Sequence, residues 1–338
     1  MSRTRLVIVL LSAAIVGLAF LLLLVGTVHI PAGEVLRILG GEPSERSAWN
    51  FIVWESRVPL IATAALAGAA LAVSGLLLQT SFGNVLADPS ILGISTGSSL
   101  GVAVVMLAFG GVIGSAAMGY VATLLGALLG ALLIMAILLA FSVAVKNSTM
   151  LLIVGILISY LASSAISLLN FAATQEGVHS FVVWGLGNFS GVTLRQLPVY
   201  ASVVAVGLIA SLLLIKPLNA LLLGRRYAEN LGVNIRLTRN LLLLITGVLT
   251  AVVTAFCGPI GFVGLVVPHI ARLMLRTSDH FRLIPATMLT GAAIALLCTL
   301  VSVLPSSGTI PINAITPIIG VPVIVYIILN RRKIFYFN

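Results

Sequence analysis

PSILGISTGSSLGVAVVMLAFGGVIGSAAMGYVATLLGALLGALLIMAILLAFSVAV, residues 89–145, runs for 57 positions without one Asp, Glu, Lys or Arg. About 20 helical residues, each rising about 1.5 Å, cross a hydrocarbon core. The stretch is too long for one crossing. It lacks the alternation of apolar and polar residues over about ten positions that marks a membrane β-strand. It therefore crosses at least twice, with the break expected near Gly110, Gly111 and Gly114.

The same ruler applied outward finds the other spans. Residues 58–87 hold one span and a loop, and 147–175 and 196–215 hold one each. Residues 240–271 hold a span and a shorter helix, interrupted at Gly258, Pro259 and Gly261. Residues 283–330 hold two spans, broken by Pro305, Gly308 and Pro311. The first run, 6–33, follows Arg3 and Arg5. It exceeds the roughly 7–15 apolar residues of a secretory signal and shows no clear cleavage site, so it reads as a retained span. The expectation is an all-α polytopic membrane protein, one transmembrane domain over 1–338. Its ten spans fall near 6–28, 58–80, 91–109, 114–143, 149–172, 194–215, 239–257, 261–276, 283–304 and 312–330.

Composition agrees. Of 338 residues, 60% are hydrophobic and 8% charged, with mean hydropathy +1.23. A soluble domain carries roughly a quarter charged residues. A soluble enzyme, a disordered chain and a secreted disulfide scaffold are excluded. The net charge of +10 would suggest nucleic acid in a soluble protein. Here the basic residues lie between apolar runs and report orientation instead. Ten spans put both termini on one side. With them go Lys146, Lys216, Arg225, Arg226, Arg236, Arg239, Arg272, Arg276, Arg282 and Lys333; Arg37, Arg46, Arg57 and Arg195 fall opposite. That bias places both termini in the cytoplasm.

No acid or base lies at the middle of a span. An ion-coupled secondary transporter, the alternative function, usually needs one as a relay. The chain has no G-x-x-x-x-G-K-[ST] phosphate loop, so it hydrolyses no ATP by that device. Cys257 and Cys298 sit in apolar runs, and the four histidines have no metal-ligand spacing. Neither metal nor cofactor is expected. Glycines at 93, 97 and 101, and at 126 and 130, form ladders that let helices approach closely.

Three polar segments stand out. Asn84, Asp88 and Pro89 precede the third span, where Asp88 with Pro89 suits the entry of that helix. Residues 216–239 form two short amphipathic pieces separated by Gly224 and closed by Gly232. They suit lipid headgroups or a soluble partner equally. Residues 174–195 are too short to span, and Trp184 fits an interfacial belt. This segment is a lid helix or a simple connector. His269 and His280, beside Arg272 and Asp279, are expected to be solvated or to cap helices.

Two motifs carry a resemblance. Arg57-Val-Pro, residues 67–75 (AGAALAVSG), Gln79 and residues 84–97 (NVLADPSILGISTG) form one. Residues 258–273 (GPIGFVGLVVPHIARL), with Asp279 and His280, form the other. The chain resembles the ABC importer permeases for ferric siderophores, haem and vitamin B12 over nearly its whole length. The resemblance implies a homodimer of ten-helix subunits of the type II importer architecture. It also implies two cytoplasmic ATPase subunits and a binding protein that delivers a metal chelate, in the inner membrane of a prokaryote. The ATPases would seat on Leu221, Gly224, Arg225, Arg226, Ala228, Glu229 and Gly232. Asn147, Ser148 and Thr149 would form the cytoplasmic gate, and Thr174 and Gln175 the outer gate. Arg46, Glu55 and Arg57 would dock the binding protein; Asn84, Asp88, Pro89, Gly258, Pro259, Pro268 and His269 complete the motifs. The sequence departs from the family at Leu60, Val303 and Thr309, where charged docking residues are usual, and at Val85 within Asn-Pro-Leu.

Overall fold

A computed structural model describes residues 3–329 apart from 27, 43, 45, 109–115, 146–147 and 306–307. All regular structure among the described residues is helical. Ten helices stand where the apolar runs predicted them. They are α1 (Arg3–Leu24), α4 (Val58–Phe82), α5 (Ile94–Ala103, continued by a π-helical turn Val104–Ala108), α6 (Ala116–Ala144) and α7 (Ser148–Ala172). The others are α9 (Leu197–Leu213), α12 (Ile235–Cys257), α13 (Val263–Leu275), α14 (His280–Val303) and α15 (Ile312–Leu329). The expected break near 110–114 lies outside the described residues.

By length and apolarity, six helical stretches suffice to cross a membrane: α1, 47–82, 118–144, 150–172, α12 and α14. A seventh forms if α9 and the following α10 (Ile215–Leu222), bent by 51° at Leu214, count as one. The remaining three apolar helices, Ile94–Ala108, Val263–Leu275 and Ile312–Tyr326, are shorter.

The sequence reading missed the segment after α1. It holds α2 (Ala32–Leu39), α3 (Ser47–Phe51) and a π-helical turn Ile52–Arg57 that runs into α4. Val35 and Ile38 of α2 pack with Ile30 and Val53 in a small separate core. Glu34 pairs with Arg37 at 3.2 Å and Arg37 with Glu42 at 3.3 Å. Both carboxylates hold the exposed Arg37 guanidinium above its ordinary pKa.

Burial divides the helices into an inner and an outer set. In 47–82 and α12, 72% of the spanning window is buried; in α1 and α7, 17% is. α4 can sit at the centre because it is rich in Ala and Gly and buried along most of its length. Small side chains let backbones approach, which replaces the hydrophobic drive missing between helices in lipid. The glycine ladders interlock as expected. A Cβ on Gly101 of α5 would lie 1.9 Å from the Gly126 carbonyl oxygen of α6, and one on Gly130 would lie 2.0 Å from that of Gly97. α13 meets α4 in the same way. Pro268 has no N–H to offer Gly264 four residues before it, and the Gly264 carbonyl faces Gly75 so closely that a Cβ there would lie 1.8 Å from it.

Candidate functional site

The basic residues gather at one end of the bundle. Arg3 Nε donates to the Met274 carbonyl at 2.7 Å, which seats the start of α1 at the end of α13. At this same end α10 is followed by α11 (Arg225–Asn230), the two short pieces expected from the sequence. Gly224 between them has φ +97 and Gly232 after them has φ +82. A Cβ at either would meet nothing within 4 Å, so backbone conformation alone favours glycine there.

Leu221 packs onto the core beneath α10, and Ala228 is the single buried residue of α11. Arg226 is exposed, and Arg225 pairs with Glu229 at 3.4 Å in the open. Leu223 at the end of α10, and Tyr227 and Leu231 four residues apart on α11 and its C-terminal end, are exposed apolar side chains. Arg225, Glu229, Gly232, Arg236 and Arg239 line a cavity of about 500 Å³ beside it. Arg239 also closes the end of α6, donating to the carbonyls of Ser142 and, at 3.1 Å, Val145. Charged donors at C-terminal carbonyls suit the helix dipole. Asn147 lies outside the described residues. Ser148 and Thr149 open α7.

A buried polar network sits next to this segment, and sequence reasoning missed its connections. Arg272 Nη1 donates to Gln79 Oε1 at 2.6 Å, and Gln79 Nε2 donates to the Leu265 carbonyl at 3.2 Å. Asn219 Nδ2 donates to Asp279 Oδ1 at 2.8 Å. Asn219 Oδ1 accepts from the His280 backbone N–H and lies 2.9 Å from His280 Nδ1. His280 Nε2 lies 2.9 Å from Thr80 Oγ1, and His269 Nε2 donates to the Val85 carbonyl at 2.9 Å. The expected solvation of the two histidines is thus corrected, since both are buried. Asp279 does cap α14, accepting from the Phe281 N–H.

Asp88 is corrected as well. α5 begins only at Ile94, after Gly93 with φ +83. Asp88 instead accepts from Ser90 N at 2.9 Å, from Ser90 Oγ and from the Leu265 N–H in the first turn of α13. An acid there suits the positive end of that helix. Burial pushes its carboxyl pKa up, against these hydrogen bonds. Pro89 is buried beside it; Asn84 accepts from the Leu86 N–H and turns the loop.

The opposite end holds α8 (Gln175–Gly185), the short helix expected within 174–195. Thr174 caps it, its Oγ1 accepting from Gly177 N at 3.2 Å, and Gln175 is exposed. Asn313, the amide in the last apolar run, was missed. Its Nδ2 donates to the Gly185 and Pro259 carbonyls at 3.0 and 2.5 Å, and its Oδ1 accepts from Gly261 N at 3.2 Å. It thereby ties α8, the Gly258-Pro259 loop and the start of α15 together. A cavity of about 710 Å³ lies behind α8, with Tyr120, Glu176, Trp184 and Phe256 on its walls.

Arg57 is buried. Its guanidinium donates to the carbonyls of Leu23 and Val28 rather than facing outward. Leu60, Val303 and Thr309, the three departures at docking positions, line the same cavity of about 210 Å³ as Arg57. Glu55 is exposed. Arg46 is exposed too, its guanidinium 4.7 Å above the Trp49 ring.

The model of the FecCD transport family matches residues 8–330. The vitamin B12 import system permease protein BtuC of Klebsiella pneumoniae is 36% identical over 317 residues, 94% of this chain and 93% of the relative. BtuC of Shigella boydii is 35% identical over 321 residues, 94% of each chain. A solved metal-chelate type ABC transporter in an inward-facing conformation superposes with TM-score 0.82 at 30% identity, covering 97% of this chain and 99% of that one. Fold and comparisons together define a multi-pass permease subunit of the ABC importer class. The chain belongs to the FecCD transport family.

Proposed function

We propose that this chain is the membrane half of an ATP-driven importer for a metal chelate, of the kind its relatives named for vitamin B12 import handle. Two copies form the conduit. Two separate ATPase subunits supply the energy from the cytoplasm, and a binding protein delivers cargo on the other face. In this reading the six span candidates, α9 and the three shorter apolar helices each cross once, and α10 is left to the cytoplasmic segment. Both termini then lie with the basic end in the cytoplasm. Energy enters at 216–239, and α8 with Thr174 and Gln175 forms the outer gate. The cytoplasmic gate lies at 147–149.

The observation that carries this reading is the pair α10–α11. Two short helices with glycine hinges and the exposed apolar residues Leu223, Tyr227 and Leu231 sit at the basic end of a chain that has no phosphate loop. Exposed apolar side chains on short helices suit a groove on a partner. Arg57 is turned inward, so docking of the binding protein falls to Arg46 and Glu55.

The test is reconstitution of the chain with its ATPase and binding protein in proteoliposomes, with cyanocobalamin and a ferric siderophore as probes. ATP-dependent accumulation of either probe is expected, and none by the chain alone. Uphill uptake by the chain without an ATPase would overturn the proposal.

A further inference from the structure

We infer that Asn219 is a positioning residue through which movement of α10 reaches the spanning helices. The inference deepens the permease reading above and rests on it. The two halves of 216–239 are held differently. α11 hangs between Gly224 and Gly232, both at positive φ, and buries only Ala228. α10 is fastened. Leu218 is fully buried among Val73, Leu77, Leu283 and Ile284, and Asn219 on the next position is bound on both sides of its amide.

The polarity of these bonds follows from elimination. Asn219 Nδ2 donates to Asp279, so Oδ1 is the atom facing His280. An amide oxygen only accepts, so His280 Nδ1 carries its proton. In the neutral ring Nε2 is then bare and accepts the single Thr80 hydroxyl proton at 2.9 Å, in competition with the Leu76 carbonyl 3.1 Å from the same oxygen. One asparagine therefore joins α10 to the first turn of α14 and, through one imidazole, to the last turn of α4. The adjacent Gln79 continues to α13 through Arg272 and the Leu265 carbonyl. α13 leans on α15, where a Cβ at Gly320 would lie 3.0 Å from Val266. A partner that shifts α10 must carry α14 and α4 with it, whereas α11 turns on its glycines. Buried bonds of this kind resist separation because each broken one strands a desolvated polar atom.

The experiment uses the full chain purified with its ATPase subunits, and ATP with vanadate as the probe. Ile318→Cys places a thiol on an exposed position of α15, and the rate of maleimide labelling is measured. We expect ATP to change that rate about threefold in the parent and in T80S, which keeps the hydroxyl. In N219A and in T80V, which is nearly isosteric, ATP hydrolysis should persist while the change in labelling is lost. Labelling that still responds to ATP in both variants overturns the inference alone. A parent that binds no ATPase overturns it together with the permease reading. Failure of both variants to assemble also overturns it, because Asn219 and Thr80 would then only support folding.

Discussion

Arg272 and Gln79 meet at 2.6 Å inside the bundle, a guanidinium donating to an amide oxygen that no water reaches. The contact adds a charged tie to the close packing of Gly264 of α13 on Gly75 of α4. Replacing Gln79 by Leu keeps the volume and removes the acceptor. A loss of about 1–3 kcal/mol is expected from the lost charge-assisted hydrogen bond, read as a lower melting temperature in detergent. An unchanged melting temperature would show that Arg272 finds an equal partner.

The glycine contacts give a paired prediction. Gly101→Val puts atoms where the Gly126 carbonyl already sits, so α5 and α6 must separate at a cost of about 3 kcal/mol. Gly17→Ala in α1 meets nothing within 4 Å and should be neutral or stabilise by about 0.5–1 kcal/mol. Expression level and thermal unfolding of the two variants separate these outcomes.

Gly232→Arg tests the proposed energy-coupling segment. The backbone there, at φ +82, disfavours a side chain, and the cavity beside it already holds Arg225, Arg236 and Arg239. Membrane insertion should be normal, while uptake per ATP hydrolysed falls about tenfold through like-charge repulsion and strain. Normal uptake would remove the assignment of this segment.

Asp88 predicts a dependence on pH. Burial raises its native pKa above the ordinary value of 3.8. The native state then holds the proton more tightly than the unfolded one. Its contribution to stability is complete below pH 3.8 and is lost as pH rises through the native value. Asp88→Asn keeps the acceptor for Ser90 and removes the titration. The stability of the parent relative to that variant should therefore fall from acid toward neutral pH in melting experiments. A constant difference would mean the donors from Ser90 and Leu265 cancel the effect of burial, and a rising one that they outweigh it.

Asn313→Ala should loosen the α8 end of the bundle. It strands the Gly185 and Pro259 carbonyls, and faster hydrogen exchange confined to α8 and the Gly258–Gly261 loop is expected. Exchange that rises evenly over the chain would argue against a local tie.

The helices were legible because a bilayer demands long uncharged runs, and each run of the sequence became a helix. Their ends and partners were less so. Residues 32–57 carry short helices whose apolar faces are too brief to register as periodic. Asp88 looked like the cap of the helix that follows it, and a local reading could not show that the loop bends back to serve α13. Asn219 and His280 stand 61 positions apart, and Thr80 and His280 200 apart. Nothing in their neighbours along the chain announces the meeting. Arg57 was assigned outward from its place in the order of spans, but the fold gives it two carbonyls within.

Where Gly97 meets Gly130 and Gly101 meets Gly126, the seam between α5 and α6 is main chain against main chain, bordered by Ile134 and Val105. At those contacts there is no side chain that point substitution could shorten or recolour. The joint can be kept or broken, but hardly tuned. Adaptation of the conduit to a differently sized passenger is thereby steered to helices that still carry adjustable surface, such as α7 and α15, while this pair stays as invariant masonry.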